Sequence, residues 1–130
     1  MLDAQHVISG SVLHIYFLIG DPRCTAYDGM IEWCEKQKNR EDAAQNLFEI
    51  LNYISDHGSR TKSDWYEPMP GHDRVWAVRK AKLRLYGFVA GDCLYLCTHD
   101  AHKNQNRADR RILERTERLR EEWDAQWDPR

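Results

Sequence analysis

The sequence predicts an α+β fold, with a small, mostly antiparallel sheet, two helices before most of it and one helix after. Three observations lead there. Val75–Arg79, Leu83–Val89 and Cys93–Thr98 are β-rich runs in close succession, and Ala90-Gly91-Asp92 is a hairpin turn signal between the last two. Asn39–His57 carries Ala43, Ala44, Leu47, Phe48, Leu51 and Ile54 at three- and four-residue spacing, which puts them on one helix face. Ser11–Ile19 is an earlier run rich in Val, Ile, Tyr and Phe. Helices gathered at one end of such a sheet make an α+β sandwich.

Each element has its own warrant. Residues 1–10 show no clear period and are expected to be only partly ordered. Ser11–Ile19 has apolar groups on both faces, as suits a strand covered on both sides. Asp21-Pro22 reads as a helix start, with a helix through about Cys34 that Gly29 weakens. Asn39 is the expected N-cap of the second helix, and Gly58 its stop. Ser59–Asp73 is polar and holds Pro68, Pro70 and Gly71, so it is expected to be a loop. Asn106–Trp123 closes the chain as a helix with Ile112, Leu113, Thr116, Leu119 and Trp123 in a narrow buried stripe.

The chain has 130 residues, enough for one core, so residues 1–130 are expected to form a single domain with an acidic tail at 121–130. At 42% hydrophobic and 31% charged residues the composition is globular, not disordered. The longest apolar run, Val12–Ile19, is far too short to span a bilayer, so no membrane partner is expected. No signal-peptide pattern opens the chain, and four cysteines in that context are expected as reduced thiols in a cytoplasm. The net charge of -2 hides an asymmetry. Residues 1–71 hold 6 Lys+Arg against 11 Asp+Glu, whereas residues 72–120 hold 12 against 6. A basic segment between acidic ones suits a polyanion site, or else a solvated helix face.

The chemistry concentrates in that segment. Arg79 and Arg84 stand on successive strands, where they can lie side by side and clamp a phosphate, or each pair with a carboxylate. After the third strand come His99, Asp100, His102, Lys103 and Arg107, with three amides among them. Imidazoles exchange protons near neutral pH, and lysine and arginine stabilise a phosphorane-like transition state. Those are the parts of RNA cleavage by the 2′-hydroxyl, which needs a base, an acid and cations but no metal or cofactor. Cys93 and Cys97 are four apart in a strand and do not make a zinc pair. No GxxxxGK[ST] or GxGxxG loop occurs, and no cysteine has a context that favours a Cys–His hydrolase.

Val75-Trp76-Ala77-Val78-Arg79, Leu83-Arg84-Leu85-Tyr86-Gly87-Phe88 and Leu94-Tyr95-Leu96-Cys97-Thr98-His99 together resemble the RelE/ParE toxin superfamily, in its HigB-like, phage-associated branch. That pattern is an E-L-R strand, a y-R-v-x-y strand, and an apolar strand ending in F-x-K-K-t-q-k-t-P before a helix. Here Ala77 replaces the Glu, Asp100 the Phe, His102 the first Lys and Ala108 the Pro. The resemblance implies a RelE-like fold and an mRNA endonuclease acting on the ribosome, neutralised by a cognate antitoxin, here expected to be a helix-turn-helix protein. By position it implies functional roles for Arg79, Arg84 and Lys103, to which the chemistry adds His99 and His102 as candidate bases. Arg107, Arg110, Arg111, Arg115 and Arg118 are the expected contacts to RNA phosphates. The alternative is a non-catalytic phage or mobile-element module on the same fold, acting on a host protein such as gyrase.

Overall fold

The computed structural model describes residues 1–100 and 109–127. It is an α+β fold with a six-stranded mixed sheet. The strands are β1 (Asp3–Ser9), β2 (His14–Ile19), β3 (Tyr66–Pro68), β4 (Val75–Lys80), β5 (Leu83–Ala90) and β6 (Cys93–Asp100). The helices are α1 (Ala26–Glu35), α2 (Arg40–His57) and α3 (Arg110–Gln126). The strand order is β1-β2-β6-β5-β4-β3, and only β2 and β6 run parallel.

The helices divide between the two faces of the sheet, where the sequence reading gathers them at one end. Leu47, Leu51 and Ile54 of α2 and Met30 and Trp33 of α1 share a core with Ile15, Phe17, Leu83, Leu85, Leu94 and Leu96. Leu119 and Trp123 of α3 pack on the other face with Leu2, Leu18, Phe88 and Cys97, and Leu113 packs with Val75, Ala77 and Tyr86. β2 and β6 are therefore covered on both sides, which explains apolar groups on both of their faces.

Four expectations change. The N-terminus forms strand β1, and a register shift between His6 and Ile8 in its pairing with β2 erases the two-residue period that would have revealed it. β3 lies inside the expected loop, and its three residues pair with β4. Asp21-Pro22 starts a turn, not a helix. The Asp21 carboxylate accepts the Arg23 amide at 2.9 Å, the Cys24 amide donates to the Asp21 carbonyl, and α1 begins only after Thr25. Phe48 does not reach the sheet. It is 47% exposed, on the rim of an open apolar groove beside β1 that Ile19, Tyr27 and Ile31 also line.

The caps of α2 are as expected: Asn39 Oδ1 accepts the Asp42 amide, and Gly58 ends the helix at φ +56°. α3 runs on to Gln126, so most of the acidic tail is helix. There the Gln126 amide bonds both backbone groups of Leu2, at 2.8 and 2.9 Å, and ties the N-terminus down.

Candidate nucleic-acid interface

The β4–β5 hairpin puts Arg79 and Arg84 directly opposite each other, on the sheet face that α3 covers. Asp100 sits across from Arg84 on β6 and is only 6% exposed. Tyr86 lies on the same face at 3% exposure. Burial first, and then the Asp100 charge, push its phenol above the usual range, while Arg84 and Arg79 pull it back. Glu67, on β3, pairs with Arg79 Nη2. Arg84 Nη1 donates to the carbonyls of Ala81 at 2.5 Å and Leu83 at 3.0 Å, so the guanidinium braces its own hairpin. Both bonds use Nη1, one of the three guanidinium nitrogens.

α3 crosses this face with two unlike flanks. Toward the β3–β4 loop its charges are matched. His72 Nδ1 and Glu117 are 2.7 Å apart, Arg120 bonds Asp73, and Arg74 bonds Asp124. On the other flank Arg111, Arg115 and Arg118 recur at four- and three-residue spacing and stand exposed. Among the described residues no ion pair holds any of the three. With Arg23 and Glu114 they line a groove of about 300 Å³. Arg110 lies outside it, paired with Glu114 at 3.0 Å.

Arg23 was absent from the sequence-based set. It reaches α3 because Asp21 and Glu122 both grip its guanidinium, and the Asp21 carboxyl is held down to about 2 chiefly by its hydrogen bonds from Arg23. The buried Thr98 and Thr116 hydroxyls, 2.7 Å apart, pin α3 to β6 and fix where the arginine flank sits.

His99 does not join this face. The expected register puts Arg84 level with His99 or Thr98. The observed register pairs Arg84 with Asp100 and Leu85 with His99, because a bulge after Tyr86 inserts Cys97 as an unpaired residue. Gly87 makes the bulge: a Cβ there would lie 2.2 Å from the Tyr95 carbonyl oxygen. His99 therefore lies on the opposite face, against α1, and shares no cleft with Arg84. His102, Lys103 and Arg107 lie outside the described residues.

The cysteines are free thiols. Burial raises all four, Cys24 to about 11, so none has the character of an activated nucleophile. Among the described residues no group of three His, Cys, Asp or Glu side chains is placed to hold a metal ion. No helix among them is long and apolar enough to cross a membrane.

No protein-family model matches the chain, and no curated protein matches it above chance.

Proposed function

We propose that the protein is a RelE/ParE-like endoribonuclease of a toxin–antitoxin pair, cleaving mRNA on the ribosome by attack of the 2′-hydroxyl on the adjacent phosphate. The observation that carries this reading is the exposed row Arg111–Arg115–Arg118, without an ion pair among the described residues, on the same side of the sheet as the Arg79–Arg84 pair. A row of arginines along one helix flank follows a phosphate backbone, and two guanidinium groups across a hairpin suit the scissile phosphate. Two helices before the β4–β5–β6 meander and one after it also support the reading, with β1 and β3 as additional strands.

In this mechanism Arg84, through Nη2 and Nε, holds the phosphate, and Arg79 adds charge beside it. The base and the neutralising cation fall to His102 and Lys103, which follow Asp100 in sequence. The general base takes the 2′-hydroxyl proton, the oxygen attacks phosphorus, and the 5′-oxygen leaves with a proton from the acid. The cytoplasmic location and the helix-turn-helix antitoxin belong to the same proposal.

A second reading has its own observation. Arg79 is tied to Glu67 and Arg84 to hairpin carbonyls, as structural residues would be. That favours a non-catalytic module on this fold that binds a host protein. Purified protein added to a translating extract separates the two. The nuclease reading expects transcript cleavage that Arg84→Ala lowers by roughly 2–4 kcal/mol of barrier with the fold intact. Intact transcripts with wild-type protein, or full cleavage by Arg84→Ala, would refute the assigned mechanism.

A further inference from the structure

On the face away from the arginine row, the C-terminal half of α1, the tip of the β4–β5 hairpin and the end of β6 enclose a pocket of about 350 Å³. Its wall is the His99 ring, and two features show that the ring is held there by design of the fold. First, the ring lies against the α1 backbone at Gly29, where a Cβ would sit 2.1 Å from its Cγ. A helix interior disfavours glycine, so the residue answers to the ring and not to the helix. Second, the Thr25 hydroxyl lies 2.9 Å from His99 Nδ1 and accepts the His99 amide at 3.3 Å. Nδ1 is thereby occupied, and Nε2 is the nitrogen left for a ligand.

The rest of the lining is two lysines, a glutamate, a glutamine and an indole. Lys82 comes from the hairpin tip, exposed and with no carboxylate partner among the described residues. Lys36 lies at the end of α1, where it is 2.8 Å from Glu32, the single acid in the lining. Trp33 forms the apolar wall. Lys36 offsets Glu32, so the charge of Lys82 stands uncompensated beside the His99 ring. A bare phosphate would leave most of the volume empty, whereas a pocket of this size, near the small end for ligand sites, suits a compact organic anion.

We propose that this pocket binds a nucleoside monophosphate, with its phosphate between Lys82, Lys36 and His99 Nε2 and its base against Trp33. The site is separate from the arginine row and does not depend on RNA cleavage.

Titration of the ¹⁵N-labelled protein with AMP, adenosine or inorganic phosphate tests it by NMR. AMP should give saturable shifts at the Gly29 and His99 amides and the Trp33 indole. Adenosine should give none there, and inorganic phosphate should bind more weakly. Lys82→Ala, in an exposed turn, should weaken AMP roughly tenfold, the worth of one charge-assisted hydrogen bond. Arg115→Gln should leave AMP binding unchanged. Shifts confined to Arg111–Arg118, loss of AMP binding in Arg115→Gln, or unaltered affinity in Lys82→Ala would each overturn the proposal. So would the absence of saturable AMP shifts around His99. RNA binding that fails while AMP binding persists would sink only the nuclease reading.

Discussion

Neutralising Arg115 should change the salt dependence of RNA binding, whereas neutralising Arg120, five residues on, should not. Both are arginines of α3, and only their partners differ. Arg120 is 13% exposed at its side chain and bonds Asp73 on the matched flank. Arg115 stands exposed in the groove with Arg111, Arg118 and Arg23. Each cation that displaces counterions from single-stranded RNA contributes about 0.7 to the slope of log affinity against log salt. Arg115→Gln should therefore flatten the slope by ~0.7, and between 50 and 200 mM salt this amounts to a change in salt sensitivity of about threefold. Replacing Arg111, Arg115 and Arg118 together should remove about 2 from the slope. Glutamine keeps the helix propensity and drops the charge. Fluorescence anisotropy of a labelled single-stranded RNA at several salt concentrations reads the slopes, and circular dichroism verifies the fold. An unchanged slope in Arg115→Gln, or an equal loss in Arg120→Gln, would refute the assignment of the row as the RNA contact.

Three further outcomes are expected. Ile54→Ala, fully buried beneath α2, should cost about 2–5 kcal/mol in urea unfolding, whereas Phe48→Ala should cost about 1 kcal/mol or less; equal losses would contradict the observed facing of α2. Asp21 titrates at about 2 instead of its ordinary 3.8, so its pairing with Arg23 stabilises the fold above that ordinary value and is lost as pH falls through about 2. Arg23→Ala should remove that part of the acid limb, read as the urea midpoint against pH; an unaltered limb would show the pairing to be energetically idle. Ala81 sits at φ +52° in the β4–β5 turn, and Ala81→Gly should stabilise the protein by about 1 kcal/mol in the same unfolding assay. A lower urea midpoint would show that the turn does not carry that strain.

What the sequence disclosed, and what it hid, follows from how local each determinant is. The caps of α2 and the turn at Gly91 are local, so Asn39, Gly58 and the β5–β6 hairpin were legible. The pairing of Arg79 with Arg84 was legible only in part: the sequence set them on successive strands and left the register open, which the two-residue turn Ala81-Lys82 fixes. β1 was not, since its bulge breaks the period on which a strand is recognised. The division of α3 into a matched and an unmatched flank could not be read from α3 itself. Its arginines look alike in sequence, and Arg120 is held by the carbonyl and the carboxylate of Asp73, 47 residues away. Arg23 was hidden for the same reason, its second partner Glu122 lying 99 residues further on.

The bulge at Gly87 has the largest functional consequence. A glycine inside a strand otherwise made of Leu, Arg, Tyr, Phe and Val is a local signal, because it marks close backbone approach. Without the extra residue, an even ladder would carry the imidazole of His99 to the α3 face and into reach of Arg84. With it, Asp100 takes the place opposite Arg84, and His99 turns toward Gly29 and Thr25. One residue of slip thus separates two sets of chemistry-bearing groups onto two faces of one sheet. The α3 face keeps the guanidinium groups, beside a buried carboxylate and a phenol. The α1 face takes the imidazole, with two lysines and an indole around a partly open pocket. In the proposed nuclease the base then falls to His102, beyond Asp100 in sequence, and His99, the last residue but one of β6, is left to serve a different ligand.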